Sequence, residues 1–525
     1  MADFIIVGAG AAGCVLASRL SEDQDASVLL LEAGKPDDKQ EIRIPAAFSK
    51  LFHSEYDWDY ATEPEAGAGG RRMYWPRGKM LGGSTSMNAM MYVRGHRADY
   101  DQWAQLGNTG WGYDSVMPYF QRSEGFRGSA ASSGFHGRSG PQVISDQRSP
   151  NPLAKAFIAA GEAMGLKRVD DINGPTQDGI GLTHVYQKGG RRWSAADGFL
   201  KPAMKRSNLK VETGCQVEAI TFDGTRASGV RYRQNGTTKT VAASREVILA
   251  AGAIGSPQIL MLSGVGPAAH LKSQGINVVA DLPGVGQNLQ DHLASAITFH
   301  CSQPVSLASA EGLGNLARYL IAGRGPLTSN VGEGLAFIRT REGLAAPDIE
   351  LILAPAFFVE HGAANPEGHG FTIAVILMRP DSRGAITLTS ADPMAKPIIR
   401  ANYLSAPRDT ETLVAGLKYA RTLAAAKPFD ALRGEEHLPG KAVTSDDALV
   451  AFLREKSETL YHPVGTCKMG SDTAAVVDAS LKVRGIAGLR VADASIMPTI
   501  IGGHTQAPTM MIAEKCSDMV RARVV

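Results

Sequence analysis

The chemistry-bearing pattern nearest the N-terminus is Gly8-x-Gly10-x-x-Gly13, set between the apolar run Phe4-Ile5-Ile6-Val7 and a helical stretch from Cys14 to Leu20. A strand that turns through glycine into a helix presents free backbone N–H groups and the positive end of the helix dipole, which suits a diphosphate. Gly8 permits the tight turn, Gly10 lets the backbone reach the pyrophosphate, and Gly13 lets the helix pack close to the strand, with Ala11 and Ala12 between them. Glu32 follows about twenty residues on, at the end of the next strand, where an acid binds ribose hydroxyls. The pattern points to a bound dinucleotide and does not decide between NAD and FAD. A second glycine turn, Gly82-Gly83 followed by Ser84, Thr85 and Ser86, has what a loop needs to lie against a flat ring or a phosphate. Taken alone it is a turn with polar caps. Histidine is the side chain whose ordinary pKa suits proton transfer near neutral pH. A lone histidine is more commonly a hydrogen-bonded core residue, and His184 and His292 are read that way. Cys467 reads as a small buried residue rather than a nucleophile. Ser194-Ala195-Ala196-Asp197 reads as a helix N-cap box rather than a catalytic serine.

These residues need elements to hold them. The first 34 residues read as strand, turn, helix and strand, closed by Glu32-Ala33-Gly34, which is one βαβ opening. Further strands are expected at 209–213, 227–233, 241–251, 348–358 and 371–378, with a last short one at 489–492. Helices are expected at 410–426 and 445–456, with a closing helix at 509–523. Polar, Gly/Ser-rich stretches at 125–140 and 362–370 read as surface loops.

Composition bounds the remaining choices. The chain has 525 residues, a soft prior of two to four folding units. Its 58 glycines make up about 11% of the chain, against an average of about 7%. No G-X-Y repeat carries them, and 44% hydrophobic with 20% charged residues excludes a disordered chain. The surplus suggests backbone that approaches a ligand closely at several places. The charge balance of 54 basic against 52 acidic residues leaves +2, which is no footprint for nucleic acid. Five scattered cysteines without a C-x-x-C indicate neither a disulfide framework nor a zinc site, so no metal is expected and a reducing, cytoplasmic setting fits. Met1-Ala2-Asp3 leaves no room for a signal peptide. Val247 to Leu271 and Ser495 to Ala513 lack formal charge, but glycine, proline and polar residues break both, so no transmembrane segment is expected and only a peripheral membrane contact stays open.

Longer motifs carry a family resemblance. Gly78-Lys79-x-Leu81-Gly82-Gly83-Ser84-Thr85-x-Met87-Asn88, with Tyr92, Gly95 and Asp101 beyond it, resembles the first signature of the glucose–methanol–choline (GMC) oxidoreductase family. Gly252-Ala253-x-x-Ser256-Pro257-x-Ile259-Leu260-x-x-Ser263-Gly264-Val265-Gly266 resembles the second. Gly286-Gln287-Asn288-Leu289-Gln290-Asp291-His292 and Tyr461-His462-Pro463-x-Gly465-Thr466-Cys467-x-Met469-Gly470 are similar to further family blocks. The bacterial choline- and alcohol-dehydrogenase-like branch is nearest in character, given Arg379-Pro380-x-Ser382-Arg383-Gly384 and Ser390-Ala391-Asp392-Pro393.

The resemblance implies an α/β fold, with a Rossmann-like FAD-binding domain and an inserted substrate domain of sheet plus helices. The FAD-binding domain is expected at 1–155, 205–300 and 450–525, and the substrate domain at 156–204 and 301–449. Gly8 to Gly13 would hold the diphosphate of FAD, and Glu32 with Ala33 the adenosine ribose. Val217 would meet the adenine, Gly83, Ser84 and Asn88 would lie along the flavin, and Asp493, Ala494 and Thr505 would complete the site. Some members attach FAD through a histidine at the position of Met87, which has no suitable nucleophile, so FAD is expected to be non-covalent. His462 matches the family's catalytic histidine, and His504 a second position that is His or Asn across the family.

The expected reaction is oxidation of a primary alcohol to an aldehyde, with electrons passed to oxygen or a quinone-type acceptor. His462 would take the hydroxyl proton, and His504 would hydrogen-bond the substrate oxygen. Leu460 stands where several oxygen-using relatives have valine, so the acceptor stays open. A lyase or decarboxylase that uses FAD without net oxidation is the alternative. The expected partners are a small-molecule alcohol and the acceptor, with a homo-oligomer left open. Glu311, Glu333, Glu350 and Glu360 are weighed as sites for a quaternary ammonium and read as surface or structural residues.

Overall fold

A computed structural model describes residues 1–129, 134–363 and 366–522. Parts of the two expected loops, at 130–133 and 364–365, and the expected end of the closing helix at Arg523 lie outside the described residues.

The strands Ala2–Val7 and Val28–Leu31 pair in parallel and flank the helix Ala11–Leu20. Val28-Leu29-Leu30-Leu31 is buried throughout, which is why it reads as a continuous apolar run. A Cβ on Gly13 would lie 1.8 Å from the Gly8 carbonyl oxygen, so the helix meets the turn this closely only with glycine there. These strands centre a seven-stranded sheet. Its order is Leu209–Glu212, Val28–Leu31, Ala2–Val7, Thr237–Leu249, Arg226–Gln234 and Cys215–Asp223, with Leu489–Val491 also paired to Thr237–Leu249. The long strand Thr237–Leu249 works in two halves. Its polar beginning is exposed and pairs antiparallel with Arg226–Gln234, and its apolar end is buried and pairs parallel with Ala2–Val7 and Leu489–Val491.

A second seven-stranded sheet is antiparallel at every pairing. It runs Arg433–Leu438, Leu293–Cys301, Gly370–Leu377, Ile349–Ala354, Gly334–Ile338 and Gly179–Leu182, with Glu458–Thr459 also on Leu293–Cys301. Leu293–Cys301 and Glu458–Thr459 therefore sit in this sheet, although the expected boundaries gave 293–300 and 458–459 to the FAD-binding part. The helix Pro407–Ala425 packs on one face, where Gly416 meets Ile349 and Val375. Period-two alternation turns Ile352 to the other face, into a separate cluster with Met91, Leu335 and Ile376.

The closing helix is Gln506–Arg521, starting ahead of the expected Thr509. Pro508 falls in its first turn, where a missing N–H costs no intrahelical bond. Ser194 and Asp197 form the expected reciprocal cap: Asp197 N donates to Ser194 Oγ at 3.2 Å and Ser194 N to Asp197 Oδ2 at 3.0 Å. Among the described residues no helix is long and apolar enough to cross a membrane.

Candidate active site

One elongated cavity brings the sequence-selected residues together. Gly8, Gly10, Ala11, Ala12, Glu32, Ala33, Gly83, Ser84, Asn88, Val217, Asp493, Ala494, Thr505, His462 and His504 all line it. Gly13 lies behind this wall, under the turn.

Three helices begin at the cavity: Ala11–Leu20 and Gly252–Leu262 at the nucleotide end, and Gln506–Arg521 next to His504. Their first-turn N–H groups and dipoles make the cavity wall beside each of them favourable to an anion. A Cβ on Gly10 would meet no protein atom within 4 Å, and a Cβ on Gly83 would lie 2.8 Å from Gly10 Cα. The two glycine turns therefore touch, and Gly10 keeps open space in front of it. Glu32 accepts hydrogen bonds from Ala9 N and Gly34 N, both at 2.8 Å, and burial pushes its carboxyl up to about 7. Asp493 ties its own turn to the start of the helix Gly252–Leu262. It accepts from Gly252 N at 2.9 Å, Ser256 Oγ at 2.5 Å and Ser495 N at 2.8 Å, while burial raises its pKa. Gln506 Oε1 accepts from Asn88 Nδ2 at 2.6 Å, and Gln506 Nε2 is buried with no protein partner on the cavity wall. An orphaned donor of that kind waits for a ligand acceptor. The open space at Gly10, the convergent helix ends and this orphan donor fit a long, diphosphate-bearing cofactor such as FAD.

At the other end stand the histidines. The rings of His462 and His504 lie 4.9 Å apart at 75°. Tyr461, just before His462, has φ of +68°, a left-handed conformation that costs a bulky residue about 1–3 kcal/mol. Its neighbours hold it there: Arg77 Nη2 donates to Tyr461 O at 2.6 Å, and Tyr461 N donates to Thr459 Oγ1 at 2.8 Å. Asp291 accepts from His462 N at 2.7 Å and from the hydroxyls of Thr459 and Tyr403. Burial raises the Asp291 carboxyl to about 6.

His292, read as a core histidine, is buried but has a second role. Its Nδ1 lies 2.9 Å from His462 Nδ1, and its Nε2 lies 3.2 Å from the Met378 carbonyl oxygen. A carbonyl only accepts, so His292 Nε2 carries a proton. Burial, with His504 nearby, pushes His292 down to about 3, so the ring is neutral and its Nδ1 accepts. His462 Nδ1–H is then the donor. Burial, with His504, His292 and Arg77, also holds His462 well below the usual histidine range. By elimination its Nε2 carries the free lone pair, and that nitrogen has no protein partner among the described residues.

Glu350 is the second correction. It is neither at the surface nor remote from the chemistry: it is fully buried, and its Oε1 accepts from His504 Nε2 at 2.9 Å. Its Oε2 has no partner among the described residues. The strand Ile349–Ala354 supplied the signal, because residues 350, 352 and 354 share a face and Ile352 and Ala354 line the cavity. Glu333 is structural, accepting from Asn151 N at 2.6 Å and Ser329 Oγ at 2.5 Å. His184 is buried beside Asp146 and Asp171, and Cys467 is fully buried.

GMC oxidoreductase family models match residues 2–294 and 380–513. The chain belongs to the GMC oxidoreductase family. It is accordingly an FAD-dependent oxidoreductase with the mixed α/β, FAD-binding fold of that family. It is 45% identical to the oxygen-dependent choline dehydrogenase of Brucella ovis, over 99% of this chain and 96% of that one. Pyridoxine 4-oxidase from Mesorbium loti superposes with a TM-score of 0.90 at 34% identity, covering 99% of both chains. Formate oxidase of Aspergillus oryzae, studied for its FAD modification, superposes with a TM-score of 0.94 at 30% identity, covering 99% of this chain and 98% of that one.

Proposed function

We propose that this enzyme oxidises a neutral, apolar primary alcohol to an aldehyde with non-covalently held FAD. The observation that carries the reading is the free lone pair on His462 Nε2 at the cavity wall, left there by the His292 contact. Bound FAD supplies the acceptor for the hydride that leaves the alcohol carbon. His462 Nε2 takes the hydroxyl proton as that carbon is oxidised. His504 steadies the substrate oxygen as negative charge develops on it when the ring is doubly protonated, with Nε2–H on Glu350 and Nδ1–H left for the substrate. The residues of the glycine turns, with Glu32, Val217, Asn88, Asp493, Ala494 and Thr505, hold the cofactor in the roles given above. Met87 lines the cavity and offers no nucleophile for a covalent link.

Charge at the histidine end supports an apolar substrate. Phe48, Phe52, Phe358, Val331, Ile352 and Leu460 line the cavity, whose only lining carboxylates are Glu32 and Asp493 at the nucleotide end. Glu333 is engaged by Asn151 and Ser329, and Glu350, though its Oε2 is unpartnered among the described residues, stands behind His504 and does not line the cavity. The Brucella relative is named for choline, and on this ground the present chain differs in substrate. The electrons leave to oxygen or a quinone-type acceptor, which turnover in air against turnover with an artificial quinone separates. An anaerobic comparison of aromatic, aliphatic and amino alcohols tests the substrate. Aromatic or aliphatic alcohols should bleach the flavin and choline should not, whereas preferential bleaching by choline would overturn the assignment.

A further inference from the structure

The exposed apolar side chains of this protein are concentrated on one short helix. Of eight large hydrophobic residues that stand exposed among the described residues, four lie on Leu313–Ala322. Leu313 is 85% exposed, Ile321 87%, Leu320 59% and Leu316 37%, and only Tyr319 is buried. Tyr319 anchors the helix from beneath. Its hydroxyl donates to the Arg43 carbonyl at 3.1 Å, and its ring packs with Leu327, Ile44 and Ala46. Clustered aliphatic side chains with no partner mark an interaction site, whereas scattered ones need no explanation.

The charge around the helix is one-sided. Arg318 and Arg324 are exposed, on the helix and just after it. Arg148 reaches the helix C-terminus, donating from Nη2 to the Ala322 carbonyl at 3.3 Å. The hairpin carrying exposed Lys188 and Arg191 abuts the same end, since a Cβ on Gly190 would lie 2.5 Å from Gly323 O. None of these five cations forms an ion pair among the described residues. No acid occurs between Gly312 and Gly332, and Glu311 ahead of the helix is already paired with Lys50 at 2.6 Å.

We propose that this helix and its cationic fringe dock on an anionic phospholipid bilayer, with Leu313, Leu316, Leu320 and Ile321 entering the acyl boundary and the arginines meeting the headgroups. An amphipathic helix of this kind lies in the membrane interface, held by apolar burial together with attraction to anionic lipid. A second copy of the chain is the poorer occupant, because twofold contact would set the same positive fringe against itself. The docked helix would rest on the segment leading to Phe48 and Phe52, which line the cavity. The inference rests on the surface alone and stands whichever alcohol the cavity takes.

Flotation of the holoenzyme with phosphatidylcholine vesicles, with and without phosphatidylglycerol, tests it. The enzyme should float with the anionic vesicles only, and molar salt should release it. Replacing Leu313, Leu320 and Ile321 together by serine should lower the partition coefficient by roughly tenfold or more. Arg318→Ser with Arg324→Ser should lower it about fivefold for each cation removed. Both variants should keep flavin absorbance and turnover of a soluble alcohol, because none of these residues lines the cavity. Wild-type enzyme that ignores anionic vesicles, or partition unchanged by the serine variant, would overturn the proposal. So would a solution dimer that the serine variant splits into monomers.

Discussion

At the scale of single residues the decisive feature is a proton inventory. Four ring nitrogens and one carbonyl form a chain: Met378 O accepts from His292 Nε2, and His292 Nδ1 accepts from His462 Nδ1, which leaves His462 Nε2 unprotonated. Activity is lost once that nitrogen is protonated, so it falls as pH drops through the pKa of His462. Burial above all lowers that pKa, which extends activity to the acid side. A kcat/KM profile should therefore show its acid limb below 6.5, the ordinary histidine value. His292→Leu removes the acceptor of the His462 Nδ1 proton and frees the wrong tautomer. The expected cost is about 1–3 kcal/mol, or roughly 5- to 150-fold in kcat, with KM little changed. His292→Asn, whose amide oxygen can accept, should recover much of the loss. Equal rates in all three enzymes would remove His292 from the mechanism. His292 was legible as a residue but not as a partner, because 170 positions separate it from His462 along the chain. Glu350 was obscured differently: one acid in the apolar run Ile349 to Ala354 looks like an exception, and only the strand face explains it.

At the scale of elements the glycine turn separates packing from binding. Gly13→Ala forces a Cβ to within 1.8 Å of Gly8 O, so the helix Ala11–Leu20 must lift from its strand. Gly10→Ala adds a Cβ that meets no protein atom within 4 Å and sits at an ordinary extended backbone position, φ −75°. The first variant should lower the melting temperature of the FAD-free protein, and the second should leave it unchanged while weakening FAD binding. Thermal melts and flavin titrations of both variants check this. Equal melting-temperature losses in the FAD-free variants would mean that Gly10 is also a packing residue. The βαβ opening was readable because strand, turn, helix and acid follow one another within 34 residues. The start of the closing helix is not legible in the sequence, because Pro508 resembles a breaker, yet the first turn tolerates it.

At the scale of the whole molecule, two seven-stranded sheets supply the two ends of one cavity. The nucleotide end was largely legible, since its motifs are local and rest on backbone geometry. The substrate end was not, because it is assembled from Phe48, Val331, Ile352, Phe358 and Leu460, which no short motif links. The surplus of glycine has a partial structural meaning: Gly8, Gly10, Gly78, Gly83, Gly252 and Gly255 all line the cavity, where a side chain would take up ligand space. The central claim is that His462 removes the hydroxyl proton in this cavity. Anaerobic stopped-flow reduction of the bound flavin by a saturating primary alcohol tests it most directly, comparing wild-type enzyme with His462→Ala at matched flavin content. The reduction rate should fall about 10²- to 10⁴-fold in the variant. Bleaching of the His462→Ala flavin at the wild-type rate would contradict the account.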